Sequence, residues 1–123
     1  MDSLAVIVTT PPNHHFTETA FQFIEQAIEQ EINVIGVFFY QAGVLNASAH
    51  LTIPNDEFPL LPRWQQLANS TNLPLYLCST AAEKHGLIDE SQTQTKLIDS
   101  AFTMAGLGEL VQLHTSAERV IQL

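Results

Sequence analysis

Apolar residues in this chain fall into short runs, separated by segments in which they recur every three or four positions. Leu4 to Thr9 is a compact, largely β-branched run that stops at Thr10-Pro11-Pro12-Asn13, which predicts a strand and then a loop. From about Thr17 the period changes. Ala20, Phe23, Ile24, Ala27 and Ile28 recur at helical spacing, with Gln22, Glu25, Gln26 and Glu29 on the other side, so a helix with one apolar stripe is expected. Ile32 to Tyr40 is then almost unbroken in its apolar character. A strand wetted on one face would alternate, whereas a continuous run belongs to a strand covered on both faces, as in a parallel sheet between helical layers. Strand, helix and strand together make a β-α-β unit.

Gln41 to Leu61, with Gly43, Pro54 and Pro59, reads as a long irregular stretch of the kind that forms lids or contact surfaces. Pro62 suits the first turn of a second helix, whose inner residues would be Trp64, Leu67 and Ala68, and Asn72 ends it. The run Leu73 to Leu77 reads as a buried strand that reaches Cys78, and a short helix from Ser79 to His85 would stop at Gly86. Residues 87 to 102 fit no single pattern, although Lys96, Leu97 and Ala101 could extend a helix. Leu107, Leu110, Val111 and His114 return to helical spacing, and Arg119 to Leu123 reads as a closing strand. The expected fold is α/β: one domain over residues 1–123, a three-layer α/β/α sandwich on a mainly parallel sheet of four or five strands. Ligands in such sheets gather beyond the carboxyl ends of the strands. The segments expected there are Thr10 to Phe16, Gln41 to Ala47 and the turn at Cys78-Ser79.

Cys78 is the sole cysteine, and it stands where that strand would feed a helix. Partial positive charge at a helix N-terminus favours a thiolate, the reactive form of the side chain. An isolated cysteine is also a common core residue that packs as a small hydrophobe. One thiol excludes an internal disulfide, a dithiol redox pair and the cysteine-rich zinc patterns. Sulfur chemistry here requires a second molecule.

Charge narrows the partners. Thirteen acidic residues against four basic ones give a formal net charge of −9, which opposes the counterion-release attraction behind nucleic-acid binding. Direct RNA or DNA binding is not expected. Only 14% of residues are charged while 46% are hydrophobic, a shortage that suggests surface covered by other subunits. No basic residue precedes the short apolar run at the N-terminus, and no stretch approaches the length of a membrane span. A soluble cytoplasmic protein without membrane contact is expected.

Other constellations carry less. Gly106-Leu107-Gly108 is the one G-x-G, but residue 111 is Val where a dinucleotide fingerprint needs Gly, and no strand is evident before it. No P-loop and no G-x-S-x-G elbow occur. His14 and His15 lie in the loop after the first strand, where one of them could assist Cys78; adjacent histidines lack the spacing of a helical zinc pair. His50, His85 and His114 have no evident partner. Asp56-Glu57 and Asp89-Glu90 read as solvated loop charge. Neither a cofactor nor a metal is expected.

Several of these segments occur together in a recognisable order. Ala20-Phe21-Gln22-Phe23, Val37-Phe38-Phe39-Tyr40, Gly43-Val44, Asn46-Ala47 and Asp56-Glu57-Phe58 are followed by Trp64-Gln65-Gln66-Leu67, the single Cys78, Gly106-Leu107-Gly108 and Arg119-Val120-Ile121-Gln122. In that order and spacing the chain resembles the TusD/DsrE family of sulfur-relay subunits over nearly its whole length. The resemblance implies a DsrE-like fold and a sulfurtransferase in which Cys78 accepts a sulfane sulfur from a TusA-like donor and passes it to a TusE-like acceptor. In the Tus branch the sulfur ends on the wobble uridine of transfer RNA; in the Dsr branch the relay serves sulfur oxidation. It also implies a hetero-oligomer with homologous TusB/TusC-like or DsrF/DsrH-like subunits. Glu83-Lys84-His85 stands where the family pattern is more basic, a departure that bears on the partner rather than on the chemistry.

Overall fold

The structure, a computed structural model, describes residues 3–49, 58–87 and 97–123. Among them five strands form one sheet: β1 (Ser3–Val8), β2 (Asn33–Phe39), β3 (Leu75–Cys78), β4 (Thr103–Ala105) and β5 (Arg119–Gln122). Their order is β4-β3-β2-β1-β5, and every pairing is parallel. The helices are α1 (His15–Glu29), α2 (Leu60–Thr71), α3 (Ser79–Lys84) and α4 (Leu107–Ser116), with a 3-10 helix over Gln41–Ala47. Parallel neighbours cannot be joined by a tight turn, so the connections cross over and cover the sheet. The α/β expectation stands, with five strands and no antiparallel member.

Gly36 shows how the layers are assigned. A Cβ on it would meet Leu113 Cδ2 of α4 at 3.0 Å and Tyr76 Cε2 at 3.2 Å, so α4 lies close over this face of β2. Phe39 is three residues on, hence on the opposite face, and its ring meets Trp64 of α2 at 5.1 Å. Helices therefore lie on both faces. On the α2 side, Trp64 is fully buried and its ring also meets Phe21 of α1 at 4.8 Å, while Phe102 packs on Phe39 at 5.2 Å. Arg63 closes the rim, 3.1 Å from Glu25 and with its guanidinium over the rings of Phe21 and Phe58.

Two helices present faces other than the sequence pattern suggests. In α1 the buried stripe is Thr17, Ala20, Phe21, Ile24 and Ala27, while Phe23 is 38% exposed. At 100° per residue Phe23 points about 200° away from Phe21, and Phe21 holds the core position. In α4 the buried residue is Leu113, with Leu110 partly covered, whereas Leu107 and Val111 are exposed. Apolar content alone did not set that register; contact with Gly36 and Tyr76 does.

Two other segments differ from the pattern and one agrees with it. Residues 41–47 are an ordered 3-10 helix with Gly43, Val44, Asn46 and Ala47 buried, not an irregular stretch. Helix α2 begins at Leu60, with Pro62 in its first turn as the sequence predicts. Leu97 to Ala101 is not helical: Ile98 bridges Ser48, and the N–H of Asp99 donates to Ala47 O at 2.8 Å. Lys96, His50, Asp56-Glu57 and Asp89-Glu90 lie outside the described residues. Among the described residues, no helix is long and apolar enough to cross a membrane.

Candidate functional site

Cys78 is the last residue of β3 and the N-cap of α3, as its place between an apolar run and a small-residue run predicts. Its side chain makes no capping hydrogen bond. The residue is only 1% exposed, yet it is not enclosed in the middle of the core. It lines a cleft of about 340 Å³ together with Tyr40, Gln41, Thr80, Ala81, Lys84, His85 and Leu107.

The topology explains the assembly of these residues. Tyr76 lies on the α4 face beside Gly36, and two residues further along the strand Cys78 returns to that face. Tyr40 stands four residues beyond Gly36 and so shares it, with its ring 6.4 Å from Phe38. Leu107 opens α4 directly beyond β4. The cleft thus forms where the carboxyl ends of β2, β3 and β4 meet the start of α4, at the edge of the sheet where such folds collect ligands.

Its β2 wall is held from below by a buried polar knot. Asn46 Nδ2 donates to Gly43 O at 2.9 Å and to Thr10 O at 3.1 Å, and the Trp64 indole N–H donates to Asn46 Oδ1 at 3.3 Å. One side chain therefore ties the 3-10 helix to the loop after β1 and to α2. Gly43 packs against β1 so closely that a Cβ would lie 2.1 Å from Val8 O. Gln41, at the mouth of this segment, has φ +52°, a left-handed conformation that costs an ordinary residue about 1–2 kcal/mol. Non-glycine residues held in this way concentrate at functional sites.

The cleft's charge contrasts with that of the chain. Among the described residues, Lys84 and His85 contribute its ionisable basic groups and no carboxylate lines it, although the sequence holds 13 acidic residues. Sequence reasoning gave His85 no partner. Its proximity to Cys78 comes from the single short helix α3, which returns residues 81, 84 and 85 to the cleft; the i+3 and i+7 offsets from Cys78 carry that signal in retrospect.

His14 and His15 are not part of this group. His14 is the N-cap of α1, where its Nδ1 accepts the Phe16 N–H at 3.1 Å; its ring stacks on that of His15 at 4.9 Å, and the Phe16 ring meets both at 4.9 Å, tilted to His14 and edge-on to His15. Strand β2 separates β1 from β3, which puts the two strand ends about 10 Å apart. Of the three segments expected at this edge, those of Gln41 and Cys78 meet in the cleft; the Thr10 segment supports it from behind through Asn46. Gly106-Leu107-Gly108 does follow a strand, β4, contrary to expectation. Gly106 caps α4, its N–H donating to Glu109 Oε1 at 2.7 Å, so a carboxylate already occupies the donor that a phosphate would need. No group of three or more potential metal ligands occurs among the described residues.

Comparison with known proteins agrees with this architecture. The family model described as the DsrE/DsrF-like family matches residues 2–123. The chain is 38% identical over 107 residues to the sulfurtransferase TusD homolog of Haemophilus influenzae, covering 85% of each chain. It is 41% identical over 111 residues to the sulfurtransferase TusD homolog of Vibrio vulnificus, covering 85% of this chain and 83% of the relative. The putative sulfurtransferase DsrE of Allochromatium vinosum is 32% identical over 116 residues, with coverage of 90% and 89%. The crystal structure of the ychN protein from E. coli superposes with a TM-score of 0.81 at 18% identity over the full length of both chains, a likeness of fold.

Proposed function

The chain belongs to the DsrE/DsrF-like family, and from that premise we propose that it is a sulfurtransferase carrying sulfane sulfur as a persulfide on Cys78. The observation that supports this most is the position of the chain's one thiol on the wall of a cleft at the carboxyl edge of the sheet, beside Lys84 and His85. The Cys78 thiolate attacks the outer sulfur of a donor persulfide, R–S–SH. The donor's S–S bond breaks, R–S⁻ leaves, and Cys78–S–SH remains; no electrons are gained or lost overall. An acceptor thiolate then takes the outer sulfur in the same way. One cysteine suffices for both halves.

The destination follows the nearer relatives. Identities of 37–41% to proteins named TusD homolog favour the relay for 2-thiolation of the tRNA wobble uridine, in the cytoplasm, with TusB/TusC-like subunits in a hetero-oligomer, a TusA-like donor and a TusE-like acceptor. The 32% identity to a protein named DsrE supports a second reading, a DsrF/DsrH-associated subunit of a sulfur-oxidation relay. The 1% exposure of Cys78 supports a third, a non-catalytic assembly subunit with an inert cysteine.

Intact mass analysis after incubation with a persulfide-loaded carrier protein tests the proposal. The wild type is expected to gain one sulfur atom and Cys78→Ser none. A native chain that stays unmodified, and whose thiol reacts with alkylating reagents only after unfolding, would favour the inert subunit.

A further inference from the structure

Basic side chains are scarce in this protein, and their placement is uneven. Of the three Lys and Arg residues within the described segments, Arg63 is held by Glu25 and by two aromatic rings. Arg119 opens β5, pairing with Leu4 near the start of β1, so it lies at the amino edge of the parallel sheet. Lys84 lines the Cys78 cleft at the carboxyl edge. With a net charge of −9, the surface as a whole repels anions, while the described residues on the cleft's walls include a lysine and a histidine and no carboxylate. We propose that Lys84 is a specificity-determining residue of the Cys78 cleft, selecting sulfur donors that are negatively charged around the persulfide.

The inference rests on the proposed persulfide chemistry and deepens it. In the transfer Cys78–S⁻ + R–S–SH → Cys78–S–SH + R–S⁻, negative charge begins on one sulfur and ends on another, so an anion is present in the cleft throughout. A carboxylate-bearing donor adds further negative charge. An ammonium at the wall offsets this, and being exposed it acts over a short, salt-screened range.

Two small persulfides separate the cases: glutathione persulfide, net anionic, and cysteamine persulfide, cationic at its amine. Loading rates on Cys78 are measured by mass spectrometry at low salt for the wild type, Lys84→Gln, Lys84→Glu and Lys84→Arg. The anionic donor is expected to load about five-fold more slowly on Lys84→Gln than on the wild type, the factor a unit charge supplies near 4 Å in water, and the cationic donor no more slowly, so the ratio of anionic to cationic loading rates falls by at least that factor. It should fall further in Lys84→Glu and return in Lys84→Arg. An unchanged ratio in all variants, with Cys78 still loading, overturns the role of Lys84 and leaves the relay intact. Failure of both donors to load the wild type removes the persulfide reading and this inference with it.

Discussion

Gly43 and Asn46 are the residues at which local sequence says least and the structure asks most. A methyl group on Gly43 would lie 2.1 Å from the backbone oxygen of Val8, a contact no side-chain rotation relieves. Gly43→Ala is expected to destabilise the fold by about 3 kcal/mol, the upper part of the range for overpacking, read as a lower urea midpoint. Asn46→Ala would leave the buried Trp64 indole N–H without its acceptor and the carbonyls of Gly43 and Thr10 without this donor. A loss of about 2 kcal/mol is expected by the same measurement. Both residues stand among those that carry the family resemblance, but periodicity could not explain them. Asn46 bonds to a backbone group 36 positions away, and Gly43 is small because of a strand 35 residues earlier. Cys78 was legible because its signal is local, an apolar run meeting a small-residue run. His85 was not, because its relevance depends on where β2 and β4 end.

At the scale of elements, legibility followed length and burial. Strands β1 and β2 announce themselves as continuous apolar runs because both of their faces are covered, by α1 and α2 on one side and α4 on the other. Strand β4 has three residues, two of them exposed, too short for any run to stand out, and it is defined by pairing with β3. Helix α4 was legible as a helix but not in its register, since Leu107, Leu110 and Val111 form an equally good apolar stripe on paper. The docked register makes a discriminating prediction. Leu113→Ala should cost about 2–3 kcal/mol through the cavity left over Gly36 and Tyr76. Val111→Ala, on the exposed side, should change stability by less than about 0.5 kcal/mol. Paired denaturant titrations distinguish the two, and equal losses would mean that α4 is rotated.

Over the whole molecule acidic residues outnumber basic ones, whereas the described residues that line the cleft include Lys84 and His85 and no carboxylate. A formal charge of −9 lacks the phosphate-neutralising surface that a nucleic-acid partner requires. Fluorescence anisotropy with labelled tRNA at physiological salt should show no saturable binding tighter than about 10⁻⁴ M, which places any tRNA contact on another component of a relay. The proposed role is that of a protein that receives and hands on a small group. The most direct test of that role is a pulse and chase at the level of the peptide containing Cys78. The folded protein is loaded from a persulfide donor, trapped by alkylation before and after addition of an acceptor thiol, digested and weighed. A relay predicts one extra sulfur on Cys78 before the chase and its loss afterwards, with the sulfur recovered on the acceptor. Sulfur that never reaches Cys78, or that stays there when the acceptor arrives, would contradict it.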